Sequence, residues 1–267
     1  MSVFRLLTNH SCWRTGGSRL DLVHRSGCGA TLRWISTREA DNLTRKIFST
    51  ENSSVNSSLQ LESGMDQELQ LQDHLSKHVD TMDATNIANV IFLAAKHGLK
   101  LDANKLDLMT QRLRRKNVTL NKLIVSKMLY GFRTQSDRDN HVKKFLKVLT
   151  QKVIASEMVI LDGQGVGNSL YGLQRMTCES VEVKGLISEL RHHVEHCTNN
   201  LKSQEIGNAL YGLQNMSSET IEVKRLVSVL ADRIQSCREQ LNAQSIGNSI
   251  YGLQKMDSYS PEVCCGV

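Results

Sequence analysis

Apolar residues recur along most of this chain at the spacing of one face of an α-helix, and the pattern itself repeats about every 40 residues. In one unit Ile206, Ala209, Leu210 and Leu213 fall at i, i+3, i+4 and i+7, and a second stripe runs over residues 223–234. Positions three and four apart share one side of a helix. Each unit therefore predicts a pair of amphipathic helices.

An eleven-residue phrase marks the first helix of each unit. Three clear and two diverged copies place unit starts at residues 87, 125, 166, 206 and 246, with intervals of 38, 41, 40 and 40 residues. Such a period is typical of solenoids, in which neighbouring units bury each other's apolar faces. We predict an all-α fold, an α-solenoid of about five two-helix repeats of 38–41 residues spanning residues 83–256. The clear copies are Val166-Gly-Asn-Ser-Leu-Tyr-Gly-Leu-Gln-Arg-Met176, Ile206-Gly-Asn-Ala-Leu-Tyr-Gly-Leu-Gln-Asn-Met216 and Ile246-Gly-Asn-Ser-Ile-Tyr-Gly-Leu-Gln-Lys-Met256.

Two glycines recur in every clear copy, as Gly207 and Gly212 do in the second one. Glycine in a helix interior costs about 1 kcal/mol relative to alanine. We expect both to mark points where the first helix closely approaches a neighbour, because glycine has no Cβ. Ser217 and Ser218, followed by Glu219, lie between the two apolar stripes and predict the start of the second helix.

A polar stripe lies roughly opposite the apolar face of the first helix. In one unit it contains Gln204, Asn208, Tyr211 and Asn215, at i, i+4, i+7 and i+11. Stacked units would align these residues into a ladder of amides, a ladder of aromatic rings and a variable end position. Single-stranded RNA suits such a surface, because aromatic faces stack on bases, amides reach base edges and cations meet phosphates.

A purely structural role for the same stripe stays open, with tyrosine filling the room left by glycine and asparagine bonding a neighbouring backbone. We expect specificity to reside mainly at the variable end position before the final methionine of the phrase. The candidate RNA-binding residues on the stripe are Lys96, Lys127, Asn168, Tyr171, Arg175, Asn208, Tyr211, Asn215, Asn248, Tyr251 and Lys255.

Charge is concentrated in residues 111–152, the basic stretch, which carries a net charge of +10 while residues 37–110 and 153–267 each carry −4. A track of cations binds phosphates by releasing counterions. An ordinary solvated helix face is the alternative. The candidate phosphate contacts in the basic stretch are Arg112, Arg114, Arg115, Lys116, Lys143 and Lys144, together with Lys127 of the polar stripe.

Residues 1–36 have the composition of an organellar presequence, with five arginines and a single acid, Asp21. Arg33-Trp-Ile-Ser36 is similar to a mitochondrial processing site and predicts cleavage near Ile35. We therefore expect the protein to be located in the mitochondrial matrix. The alternatives are a plastid-targeting segment and a basic terminus that is disordered and carries no targeting signal. Residues 37–82 are interpreted as a linker or irregular lead-in and 257–267 as a truncated last repeat. No run is apolar enough to predict membrane insertion.

Cysteine and histidine give no strong signal for metal or disulfide chemistry. Cys197 and Cys237 occupy equivalent repeat positions and no CxxC pair occurs, which favours a reducing compartment. His192 and His196 have metal-like spacing, but their counterparts in the next unit are ordinary surface residues. Because no phosphate loop, nucleophile elbow or carboxylate pair stands out, we expect a non-enzyme with no cofactor, no metal and no small-molecule substrate.

The segment Ile87-Ala-Asn-Val-Ile-Phe-Leu-Ala-Ala-Lys-His-Gly98 resembles the Leu-Ala-Asn-x-Leu-Trp-Ala-Leu-Ala-Lys-Leu-Gly phrase of octotricopeptide-type repeats. Similar repeats occur in FAST-kinase-domain proteins and kinetoplastid RNA-editing complex subunits. The resemblance covers residues 83–256, although tyrosine stands where the phrase has tryptophan, glycine replaces the next alanine, and no RAP-type domain follows.

The resemblance implies an α-solenoid that binds single-stranded organellar RNA. From its composition, we expect the amino-terminal region ahead of the solenoid to be disordered. Transcript processing, stability or translation is the implied role, in company with other subunits of an RNA-processing complex. A scaffold that binds an extended peptide or a partner subunit is the rival hypothesis, in which an asparagine ladder holds a peptide backbone as in armadillo repeats.

Overall fold

The computed structural model describes residues 82–156 and 159–257, in which all regular secondary structure is helical. The all-α prediction is thereby confirmed for this part of the chain. The presequence, the linker up to residue 81 and the tail from residue 258 lie outside the described residues. The described helices are α1 (Ala84–Lys96), α2 (Ala103–Leu113), α3 (Lys122–Gly131), α4 (Asn140–Ile154), α5 (Gly163–Tyr171), α6 (Val181–His196), α7 (Ser203–Tyr211), α8 (Ile221–Gln235) and α9 (Ala243–Gly252), with a 3₁₀ turn at Phe132–Thr134.

The helices pack in two rows. In the first row α1, α3, α5, α7 and α9 each contact the next member, and in the second row α2, α4, α6 and α8 do the same. Each helix therefore packs against its counterpart in the following repeat, which is the nearest-neighbour pattern expected of repeat arrays. The described residues contain four complete helix pairs and a fifth first helix.

Both apolar stripes predicted from the periodicity are buried. Ile206, Leu210 and Leu213 of the first stripe are at most 1% exposed, and Val223 and Ile234 at the two ends of the second are fully buried. Removing such side chains from water supplies most of the driving force for packing. The rows are therefore held together by the residues whose spacing predicted them.

The two glycines of the phrase face opposite neighbours. A Cβ at Gly212 would lie 1.9 Å from the carbonyl oxygen of Leu170 in the preceding repeat, a distance no real contact allows. A Cβ at Gly207 would lie 2.8 Å from Cα of Ser245 in the following repeat. The predicted close approach is confirmed on both sides of the helix, because each glycine admits a backbone of the adjacent unit.

Both helix boundaries within the unit differ from the sequence prediction. Helix α7 ends at Tyr211, and Asn215 lies beyond it in tighter turns, with Leu213 N–H donating to Leu210 O at 2.9 Å. Helix α8 begins at Ile221, three residues after Ser218. The Ser218 hydroxyl instead accepts a hydrogen bond from the N–H of Asp257 at 2.8 Å, so it joins repeats rather than capping a helix.

Candidate nucleic-acid interface

Five aromatic rings form a continuous column along the first row, one ring from each repeat. Phe92 and Tyr130 have centroids 5.3 Å apart at 37°, and Tyr130 and Tyr171 are stacked at 5.7 Å and 20°. The next pairs, Tyr171 with Tyr211 and Tyr211 with Tyr251, are stacked at 5.5 and 5.6 Å, both at 22°. The column forms because the glycine after each tyrosine lets the helices approach until their rings touch.

The column alters how the tyrosines can meet a base. A base inserted between two rings would need ring planes about 7 Å apart, twice the ~3.4 Å rise of a stacked strand. The rings of Tyr171 and Tyr211 are covered on both faces by aromatic neighbours at shorter distances. The sequence predicted that bases stack on the tyrosine rings, but both faces of Tyr171 and of Tyr211 are blocked by neighbouring rings. The column therefore presents its ring edges and hydroxyl groups to a ligand.

The amide ladder lies partly beneath the surface. Asn168 is 2% exposed and its Nδ2 has no hydrogen-bond partner, whereas Asn208 and Asn248 are half-buried. In the earlier repeats Lys127 Nζ donates to Asn89 Oδ1 at 3.0 Å, which joins α3 to α1. Burial lowers the pKa of Lys127 from its ordinary value. Asn168 thus lies too deep for direct contact, and Lys127 serves an inter-repeat bond.

Glutamines at the start of the first helices supply the exposed amides. Gln164 and Gln204 lie in the first turns of α5 and α7 with exposed side chains, on the same stripe as the asparagines. The sequence pattern placed them on the stripe but did not single them out as contacts. Their position i−4 from the asparagine, on the same side of the helix, was the available signal.

The variable end position divides into two kinds of residue. Lys96 and Arg175 are exposed. Asn215 instead joins repeats, because its Nδ2 donates to Gln174 O at 2.7 Å and its Oδ1 accepts from Lys255 Nζ at 2.9 Å. Both halves of its amide are used, so the expectation that Asn215 reads a base is replaced by a structural role, while Lys255 remains exposed.

The basic stretch belongs mainly to the second row. Arg114, Arg115 and Lys116 are exposed at and after the end of α2, and Lys143 and Lys144 lie on α4. Consecutive helices alternate between rows, so these cations do not continue the polar stripe of the first row. The cations at α2 and α4 and the polar stripe therefore lie in different rows of the array.

Several cations of the basic stretch hold the fold together. Arg112 Nε donates to the carbonyl of Met82 at 2.7 Å, and Lys152 Nζ donates to that of Arg115 at 2.7 Å. Lys144 Nζ lies 3.9 Å from Asp107, whose carboxyl has its pKa lowered chiefly by contact with His141. The exposed positive charge is therefore smaller than the count of basic residues indicates.

Among His192, His193 and His196, only the ring of His193 is buried. His193 is 2% exposed, neither ring nitrogen has a hydrogen-bond partner, and Glu189 Oε1 lies 3.5 Å from Nε2. Burial, followed by the charges of His192 and His196, lowers its pKa to about 4. Within residues 82–156 and 159–257, no three His, Cys, Asp or Glu side chains are grouped so as to hold a metal ion.

A row of loop contacts between repeats had no counterpart in the sequence prediction. The 3%-exposed Asp137 accepts from the backbone N–H and the hydroxyl of Thr177, at 3.1 and 2.8 Å. Ser218, at the equivalent position two repeats later, accepts from Asp257. Asp137 and Ser218 differ in chemistry but share the role of acceptor, so residue identity alone does not reveal the contact.

Comparison with protein families, with curated proteins and with solved structures found no match to this chain. None of the described helices combines the length and the apolar character that crossing a bilayer requires.

Proposed function

We propose that this protein binds single-stranded RNA along the polar stripe of its first row, without performing chemistry, and that it acts in transcript processing, stability or translation in an organelle. The observation that carries the proposal is the row of exposed or partly exposed polar groups at equivalent positions of the third, fourth and fifth repeats, with Lys96 in the first. It comprises the glutamines at helix starts, the partly exposed Asn208 and Asn248, the tyrosine edges, and the cations Lys96, Arg175 and Lys255.

The spacing of the aromatic column supports a nucleotide chain over an extended peptide. Successive rings are 5.3 to 5.7 Å apart. Two residues of an extended peptide advance about 6.7 Å and one advances about 3.3 Å, so neither matches the step. A strand whose bases are unstacked can lengthen beyond its ~3.4 Å stacked rise, and unstacked single strands are what helical repeats read one base at a time.

Salt dependence of RNA binding tests this proposal. In the full chain, replacing Lys96, Arg175 and Lys255 together with glutamine should weaken binding of an organellar transcript and reduce the slope of log K against log salt by about 2, at ~0.7 per phosphate contact. The slope is measured by fluorescence anisotropy between low and physiological salt. All three cations are exposed, and only the surface bond from Lys255 to Asn215 is lost, so the variant should fold as the parent does, which its circular dichroism checks.

A matched control removes three exposed cations elsewhere, through substitution of Arg138, Arg225 and Arg238 with glutamine. It loses the same net charge and should keep most of the slope, because none of these residues lies on the polar stripe. Equal losses in the two triple variants would contradict binding along the stripe. Absence of any RNA binding by the parent protein at low salt would contradict the function itself.

A protein-binding scaffold is the second candidate, and one observation favours it. Val181 and Ile221 occupy the first position of α6 and α8 in adjacent repeats and are 73% and 51% exposed. Repeated exposed apolar residues are typical of partner surfaces. Replacing both with serine should release a protein partner and leave RNA binding unchanged, whereas unchanged co-purification of all partners would argue against this surface.

A further inference from the structure

A cleft of about 310 Å³ lies between the start of α1 and the turn that joins α2 to α3. Residues 82–85 form one side and residues 115–121 form the other. Its volume is at the lower end of the range for small-ligand pockets, about 300–1,000 Å³. It lies where α1 and α3 begin, and one of its lining residues, Thr85, is the first-repeat counterpart of Gln164 and Gln204 on the polar stripe.

The lining of the cleft is mostly polar, with a smaller apolar part that is called the apolar floor below. Met82, Ala84, Leu120 and Ile124 line it and are each less than 9% exposed. Around them the cleft is lined by side chains that donate hydrogen bonds, and those of the turn are largely exposed. They are Arg112, Arg115, Asn117, Thr119, Asn121 and Thr85. An apolar surface beneath several donors suits a ligand that has both a flat ring and an anionic group.

Both walls are fixed by bonds from cations to backbone carbonyls. On one side Arg112 Nε donates to Met82 O at 2.7 Å. On the other, Lys152 Nζ donates to Arg115 O at 2.7 Å and to Val118 O at 3.4 Å, which ties the turn to α4. A cleft held in this way needs little ordering when a ligand enters, so little binding energy is lost.

The charge of the cleft favours an anion. Arg112 and Arg115 line it, and Arg114 and Lys116 are their exposed chain neighbours. Asp83 is the single acid among the lining residues, and its Oδ1 accepts the N–H of Asn86 at 2.8 Å as the cap of α1. Guanidinium groups match phosphate oxygens in geometry and charge.

We propose that this cleft binds one nucleotide unit, with its phosphate on Arg115 and the free guanidinium nitrogens of Arg112 and its base over the apolar floor. The assignment rests on the proposed RNA function for its biological ligand and adds to it a discrete site at the first-repeat end of the polar stripe. The phosphate is either the terminal group of a strand or an internal diester.

The test uses titration calorimetry on the full chain with adenosine 5′-monophosphate, inorganic phosphate, and an RNA oligonucleotide with either a 5′-phosphate or a 5′-hydroxyl. Arg115→Gln is compared with Arg114→Gln, because the two residues are adjacent, exposed and equally charged, and only Arg115 lines the cleft. The carbonyl of Arg115 that accepts Lys152 is backbone and survives the substitution.

We expect Arg115→Gln to weaken binding of the mononucleotide by about tenfold or more, the usual effect of losing a charged hydrogen bond, and Arg114→Gln to change it less than about threefold. Stronger Arg115-dependent binding of the 5′-phosphorylated oligonucleotide assigns the site to a strand terminus, and equal binding of both oligonucleotides assigns it to an internal phosphate. Equal weakening in the two variants, or equal affinity for inorganic phosphate and the mononucleotide, overturns the assignment.

The same titrations separate this site from the function it rests on. If the protein binds the mononucleotide through Arg115 but binds no RNA at low salt, the cleft is a nucleotide site and the proposed RNA function is wrong. The opposite result is RNA binding that depends on salt and on the three cations of the polar stripe, but not on Arg115, with no binding of the mononucleotide. That result supports the RNA function and contradicts the nucleotide site in the cleft.

Discussion

At the scale of single residues, burial determines whether a side chain can contact a ligand, which its residue type alone does not show. His192, His193 and His196 share a residue type and one helix, yet only His193 is buried. Likewise Asn168 and Asn215 stand on the same predicted stripe, but Asn168 is enclosed and Asn215 joins neighbouring repeats. Periodicity identifies the side of a helix and not the depth at which a side chain lies on it.

The buried His193 predicts an acid-sensitive fold. Its pKa is about 4 in the folded chain against 6.5 in an exposed histidine, so the folded state binds its proton less well than the unfolded state. Its contribution to stability is fully present above pH 6.5 and is lost as pH falls from 6.5 towards 4. The full loss should be on the order of 3 kcal/mol.

Urea unfolding at pH 7.5 and 4.5 checks this prediction. The variant His193→Leu should lose the histidine's part of the acid destabilisation, while the exposed-site control His192→Gln should keep most of it, because burial is the larger cause of the lowered pKa of His193. Glu189 acts in the opposite sense, because burial raises its pKa and lets the folded state take up its proton first. An unchanged pH dependence in His193→Leu would show that the ring does not titrate as proposed.

At the scale of elements, glycine sets the distance between helices of the first row. The position after the ring of the aromatic column is glycine in four of the five repeats, and Gly172, Gly212 and Gly252 all face a carbonyl of the preceding repeat. In the described structure α7 ends before Gly212, so the residue caps the helix instead of weakening its interior. The close approach in turn produces the aromatic column.

Substitution of Gly212 by alanine should destabilise the array by about 1–3 kcal/mol or more, because its Cβ would lie 1.9 Å from Leu170 O. The matched control is Gly185→Ala in the middle of α6, where a Cβ would meet nothing within 4 Å. That change should stabilise the fold by about 1 kcal/mol through helix propensity. Calorimetric or chemical unfolding measures both, and equal effects would refute the close-approach explanation.

At the scale of the whole molecule, the array separates two surfaces that adjoin in sequence. Charge counting along the chain groups residues 111–152, but consecutive helices belong to different rows. The polar stripe and the basic stretch therefore offer two sites rather than one track. A strand that used both would have to pass from the first row to the end of α2.

Residues 1–36 are predicted to be a presequence that directs the whole protein to an organelle. Fusion of this segment to a fluorescent protein should direct the reporter to mitochondria, and replacing its five arginines with glutamine should leave the reporter in the cytosol, because import relies on positive charge. Microscopy with protease protection of isolated organelles gives the readout. Delivery of the reporter to plastids would support the plastid alternative. A fusion with the unaltered segment that stays in the cytosol would contradict the prediction of a presequence.

The sequence by itself determined the helix pairs, the repeat period and the need for close approach at the glycines, because apolar spacing and the cost of glycine in a helix are local properties of the chain. Tertiary structure alone decided that the tyrosines stack on one another, that Asn215 and Asp137 join repeats, and that the cleft beside α1 exists. These features depend on residues about 40 positions apart, or on separate helices, meeting at distances that only packing sets.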